Sequence, residues 1–390
     1  MAFHPATRLR ELPPYLFVEI DRKKREAFAA GRDVIDFGVG DPDLATHDFI
    51  VDRAAQAVRD PANHRYALGI GRPDFRGCIA EFFSTRYGVK LSPDDEILAL
   101  LGSKEGLGHL ALAVVNPGDT ALIPDPAYPV YRSGTIFAGG RPYTVPLTGE
   151  HGWLPDLEAI PTDVARAAAV FFLNYPNNPT GAVADLAFFE RLVDFGRRHD
   201  IVIAHDAAYN EMYLCEDDRP PSILQVRGAR DVAVELHSAS KTFNMTGWRV
   251  AFAAGNRDVL AALARIKANL DSGVFGAIQD AACAAYAGIN RPELTATRRI
   301  YRERAEALTQ GLRAVGFEVA APRATFYVWA RVPDGYDSME LAARLLDQAA
   351  IVCIPGAGFG KQGRDHVRFA LTVEIDRVRA AVERMRELDW

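Results

Sequence analysis

Six short runs of this chain, at 97–101, 120–124, 169–174, 201–206, 232–238 and 249–255, are mostly apolar from one residue to the next. A strand with one wet face alternates polar and apolar residues, so uninterrupted apolar runs belong to strands covered on both faces. Between them lie segments of helical length and amphipathic spacing, such as 104–115 and 185–199. Strand and helix in alternation dictate an α/β layered domain with a largely parallel sheet. From about Asn290 the pattern changes to a long charged helix at 291–315, strands at 325–332, 351–355 and 366–372, and helices at 338–349 and 375–388. A second, smaller α+β domain is expected there. The expected division is an arm at 1–45, a large domain at 46–285 and a small domain at 286–390, with the arm too short to fold alone and packed against the small domain or a second copy.

Composition narrows the function. The formal charge is −6, which gives no basic field for nucleic acid or an anionic membrane, so any anion must be held by a local site. The four cysteines have no C-x-x-C spacing, which argues against a structural zinc site or a disulfide framework. No window approaches a membrane span, and residues 1–21 contain no signal-like apolar stretch. A cytoplasmic enzyme acting on small molecules is the expectation.

The chemistry concentrates at strand ends. Lys241 stands in Ser-Ala-Ser-Lys-Thr-Phe-Asn-Met-Thr-Gly-Trp-Arg, residues 238–249. A lysine amine attacks a carbonyl only after losing its proton, and burial with a nearby cation lowers its pKa. Arg249 and the hydroxyls of Ser238 and Ser240 suit the phosphate of a phosphorylated aldehyde. Asp206 ends an apolar run, where open α/β sheets bind ligands, and suits a protonated pyridine nitrogen; the plainer reading is a helix cap. Tyr209 follows three residues later and suits a phenolate oxygen, as does Asn178 in the turn Asn-Tyr-Pro-Asn-Asn-Pro-Thr-Gly of residues 174–181. Gly102 and Ser103 open a helix whose free N–H groups form a phosphate cradle, with Lys104 adding charge. Tyr128 suits stacking on a ring or a place in the core. Arg368, in the apolar run of residues 366–371, needs an anionic partner, either a substrate carboxylate or a buried structural acid.

These residues, over essentially the whole chain, resemble the class I/II aminotransferases of the fold-type I pyridoxal-phosphate superfamily. The motifs quoted, with Gly-Ser-Lys-Glu-Gly at 102–106 and Gly-Val-Gly-Asp-Pro-Asp-Leu at 38–44, are most similar to bacterial LL-diaminopimelate aminotransferases. The resemblance implies a mostly parallel seven-stranded sheet and pyridoxal 5'-phosphate as cofactor, with Lys241 holding it through an imine and moving the proton. It implies Asp206 on the pyridine nitrogen, Asn178 and Tyr209 on the phenolate oxygen, and Tyr128 on the ring. Ser103, Lys104, Ser238, Ser240 and Arg249 would surround the phosphate. Tyr66 would reach the phosphate of a neighbouring copy, which makes a homodimer part of the active site. Tyr15, Gly40 and Arg368 would form the substrate pocket, Arg368 on the α-carboxylate.

One position departs from the pattern. Family members acting on diaminopimelate resemble each other in a glutamate four residues after the Tyr66 equivalent, and here Ile70 stands in that place. Isoleucine pairs no charge, which points to a neutral, aromatic or dicarboxylic amino acid. The reaction expected is ping-pong transfer between an amino acid and a 2-oxo acid, with glutamate and 2-oxoglutarate as one pair. The alternatives are a lyase, racemase or decarboxylase on the same scaffold, an effector-sensing regulator, and a nicotinamide-dependent dehydrogenase. The short arm leaves no room for a DNA-binding module, and G-x-G-x-x-G is missing.

Overall fold

The computed structural model describes residues 4–12, 17–67 and 69–389, without the side chains of residues 17–21. Its strands are β1 (Ile35–Asp36), β2 (Ile97–Leu100), β3 (Thr120–Asp125), β4 (Arg141–Pro146), β5 (Ala168–Asn174), β6 (Val202–Asp206), β7 (Ala233–Ser238), β8 (Ala251–Gly255), β9 (Glu318–Val319), β10 (Tyr327–Arg331), β11 (Ile351–Val352), β12 (Ile354–Pro355) and β13 (His366–Ala370). Seven of them form one sheet in the order β2-β8-β7-β6-β5-β3-β4, as the resemblance implies. Only β8 runs against its neighbours. The chain is thus α/β with a large, mostly parallel sheet.

The apolar runs are explained by burial on both faces. Along β2, Ile97 and Ala99 join one hydrophobic cluster, whereas Leu98 and Leu100 join another. Aromatic residues fill the first cluster: Phe82, Phe83, Tyr87, Phe252 and Tyr286 pack edge to face or tilted. β4 is missing from the expected strands because it is the edge of the sheet and only Val145 within it is buried. Its polar exposed residues carry no apolar run to read. The run expected at 249–255 begins as a strand only at Ala251, because Arg249 has φ +54° and cannot be extended backbone.

A third cluster gathers Leu308 and Leu312 of the helix Pro292–Ala314 with Phe326, Val328, Phe369 and Val382 of the C-terminal elements. β12, β13, β10 and β9 form its four-stranded sheet. The N-terminal residues lie against this unit. β1 pairs in parallel with β11, Ala27 and Val34 pack on Leu346 and Ala350, and Arg304 grips Asp43 with both guanidinium nitrogens at 2.8 Å. Residues 38–41 are thereby laid across the carboxyl ends of the large sheet.

Candidate active site

Parallel strands deliver their last residues to one edge, and three side chains follow from that. Asn174 and Asp206 end β5 and β6 in register with each other, and Ser238 ends β7. Opposite them the helix Ser103–Val114 begins at Gly102, whose φ is +95°. The left-handed φ calls for glycine at 102, and a Cβ there would also lie 2.0 Å from Arg249 Nη2 and displace the guanidinium. Arg249 is held by the carbonyls of Thr246 at 2.8 Å and Leu101 at 3.3 Å.

The space between these elements is a cleft of about 430 Å³. Twelve of the residues singled out from sequence line it: Gly40, Ser103, Lys104, Tyr128, Asn178, Asp206, Tyr209, Ser238, Ser240, Lys241, Arg249 and Arg368. Tyr66 is elsewhere, 91% exposed, in a shallow groove with Ser272 and Phe275. Tyr15 lies outside the described residues. Ile70 does not line the cleft, and its carbonyl accepts from Ala99 N at 3.1 Å.

Lys241 Nζ donates to Gly40 O at 2.9 Å and sits 5.8 Å from the Phe326 ring centroid. Burial lowers its pKa to about 8; Asp41 and Asp206 oppose the shift, and Arg368 and Arg249 add to it. Asp206 is buried, and desolvation pushes its carboxyl up although Tyr131 and the Ala208 N–H both donate to it, at 2.9 and 3.3 Å. A cation set against that carboxylate would reverse the shift. Burial likewise raises Tyr209 well above the usual phenol range, and its hydroxyl meets that of Tyr327 at 2.9 Å.

Arg368 is buried with no carboxylate against it among the described residues. Nη1 donates to Asn178 Oδ1 and Nη2 to Gly38 O, each at 2.9 Å, while the guanidinium lies 4.3 Å from the Tyr327 ring centroid and 4.9 Å from that of Phe359. Its Nε is buried with no partner. Burying a cation so incompletely satisfied costs free energy unless an anion enters. With Asn178 Oδ1 occupied by Arg368, the amide nitrogen is the group of that side chain left to donate. At Gly40 a Cβ would lie 2.2 Å from Tyr327 Oη.

Sequence reasoning passed over Tyr131, Asn174 and Tyr327. Tyr131 stands three residues after Tyr128, in the first turn of the helix Val130–Phe137, and the two rings meet edge to face with centroids 6.1 Å apart. Asn174 aims its Oδ1 at the Asn178 N–H at 2.7 Å, which the repeated asparagines of the turn hint at. Nothing local signals Tyr327, which reads as one more aromatic in an apolar strand.

The cleft fits pyridoxal phosphate by its donor set: an amine of lowered pKa, an acid at a strand end, and an anion cradle of helix N–H groups beside a guanidinium. Fold and cleft together define a fold-type I pyridoxal-phosphate enzyme. Residues 32–385 match the family Aminotransferase class I and II, and the chain belongs to it; it is a pyridoxal-phosphate-dependent aminotransferase. It is 53% identical over 390 residues to the LL-diaminopimelate aminotransferase of Syntrophobacter fumaroxidans, covering 100% of each chain. To that of Aquifex aeolicus it is 50% identical over 388 residues, covering 99% of each. Among solved structures, apo BacF of Bacillus subtilis superposes with a TM-score of 0.95 at 38% identity, over 100% of this chain and 99% of that one. No helix among the described residues is long and apolar enough to cross a membrane.

Proposed function

We propose that the chain transfers the amino group of LL-diaminopimelate to a 2-oxo acid, with 2-oxoglutarate and glutamate as the second pair. Identity near 50% to enzymes bearing that name, sustained over whole chains, supports the substrate. The observation that carries the chemistry is Arg368, buried, without an acid and with Nε unpartnered, in one cleft with the Lys241 amine. It binds the α-carboxylate and so presents the α-carbon to Lys241.

When bound, pyridoxal phosphate supplies an electron-withdrawing ring that takes up negative charge developing at the substrate α-carbon. Ser103, Lys104, Ser238, Ser240 and Arg249 hold its phosphate, joined by Tyr66 of a second copy of the chain in a homodimer. Asp206 holds the pyridine nitrogen protonated, with Tyr131 keeping the carboxylate oriented. Asn178 and Tyr209 donate to the phenolate oxygen, and Tyr128 lies against the ring. Tyr15 and Gly40 complete the substrate pocket. Lys241 would hold the cofactor at rest and, once freed by the substrate amine, would carry the α-proton on Nζ.

Ile70 favours a second reading, in which the donor is a neutral, aromatic or dicarboxylic amino acid. Initial rates of glutamate formation with 2-oxoglutarate and a panel including LL-diaminopimelate decide between the two. Turnover of LL-diaminopimelate well above the panel is expected; turnover confined to simple amino acids supports the second. Lys241→Ala should abolish steady-state turnover with the fold retained by circular dichroism. Arg368→Met should raise KM for the amino acid about a hundredfold, the loss of a charged bidentate contact.

A further inference from the structure

Outside the cleft, Lys267 on the helix Arg257–Leu270 is a buried cation held between two acids. Only 1% of its surface is exposed, so its ammonium has left water and must be met by protein groups. Nζ donates to Glu105 Oε1 at 3.0 Å and to Asp271 Oδ2 at 2.9 Å. Glu105, His109 and Asp271 bring ligand atoms within 4.8 Å of one another, a grouping that would suit a metal ion. Lys267 already serves as the cation there.

The remaining carboxylate oxygens lead away from the pair. Glu105 Oε2 accepts from Leu101 N at 3.0 Å, and Leu101 O accepts from Arg249 Nη2 at 3.3 Å. Asp271 Oδ1 accepts from Gly273 N at 2.9 Å, and Gly273 lines the exposed groove that contains Tyr66. Through two acids, one ammonium therefore holds the turn that opens the helix Ser103–Val114 and the loop beside Tyr66.

The geometry points to Lys267 as a positioning residue for the phosphate end of the cofactor. By way of Glu105 it fixes residues 101–103 and the guanidinium lying against them, and by way of Asp271 it fixes the loop next to the tyrosine offered to a second copy. This rests on the reading that puts the phosphate between Ser103 and Arg249. Lys267 itself touches no ligand. Its effect is confined to the phosphate, whereas a pair that only joined two helices would weaken every ligand alike or none.

The full-length chain, freed of cofactor, is titrated with pyridoxal phosphate and with pyridoxal, which lacks the phosphate, and binding is followed by absorbance. Lys267→Met is expected to weaken pyridoxal phosphate about tenfold or more and pyridoxal by no more than about twofold. Lys267→Arg, which keeps the charge, should recover part of the loss. Should Lys267→Met fail to fold, Glu105→Gln keeps an acceptor for Leu101 N, drops the charge facing Lys267, and should discriminate in the same way. Equal weakening of both ligands, or no change in either, overturns the inference. A wild-type chain that binds pyridoxal as tightly as its phosphate would instead overturn the phosphate assignment beneath it.

Discussion

Burial of Lys241 disfavours the ammonium and brings the pKa to about 8. In the chain freed of cofactor, capture of pyridoxal phosphate should therefore speed up as pH rises through about 8 and level off above it, as the neutral amine becomes dominant. Stopped-flow absorbance against pH checks this; a midpoint near the ordinary 10.5 would mean the amine is solvated. Tyr131 makes a charged-acceptor hydrogen bond to Asp206, a contact of about 1.5–3 kcal/mol. Tyr131→Phe is expected to lower kcat about tenfold while the melting temperature moves by only a few degrees, since the ring remains stacked on Phe172. Gly102→Ala puts a methyl where the Arg249 guanidinium stands and asks alanine for a φ of +95°, a strain of about 1–3 kcal/mol. Equilibrium dialysis should find its cofactor affinity reduced, with substrate KM changed little once cofactor is saturating.

At the scale of elements, close approach outranks propensity. Gly311 sits inside the helix Pro292–Ala314, where alanine would ordinarily gain about 1 kcal/mol. A Cβ there would come within 2.2 Å of Val382 Cγ2 on the helix Ile375–Arg386, so the two helices would have to move apart. Gly311→Ala should destabilise the chain by about 1–3 kcal/mol of overpacking, read as a lower urea midpoint, and Val382→Ala in the same chain should restore part of it. Elements buried on both faces were readable because their sequences say so: the expected 120–124 and 201–206 miss the observed β3 and β6 by one residue at one end. β1 and β9, of two residues each, carry no period to read, and β4 exposes too much of itself to leave an apolar run.

For the whole molecule, the question is whether one chain completes the site. Tyr66 is 91% exposed and apart from the cleft of its own chain, as a residue offered to a second copy would be. Hybrids of a Lys241→Ala chain with a Tyr66→Ala chain test this. If the tyrosine serves the other copy's cleft, the hybrid pairs an intact Lys241 with an intact Tyr66 in one site, and cofactor affinity at that site returns to the wild-type value. A tyrosine acting within its own chain leaves the hybrid site that keeps Lys241 as weak as the Tyr66→Ala parent, and spectrophotometric titration of the purified hybrid separates the outcomes.

What the sequence determined by itself is what short-range physics controls: which runs are buried on both faces, where a strand ends in an acid, where glycine and a helix start leave N–H groups free, and which lysine is flanked by hydroxyls. Chemistry of that kind sits within a dozen residues of chain, so the residues that line the cleft were legible one motif at a time. Only the tertiary structure decided what meets across hundreds of residues: Lys241 against the Gly40 carbonyl, Asn178 oriented by Arg368, Tyr327 under both Gly40 and Arg368, and Lys267 between Glu105 and Asp271. Those contacts arise from the packing of the N-terminal strand on the C-terminal sheet and of helix on helix. Local sequence carries no record of which distant surface a side chain will meet.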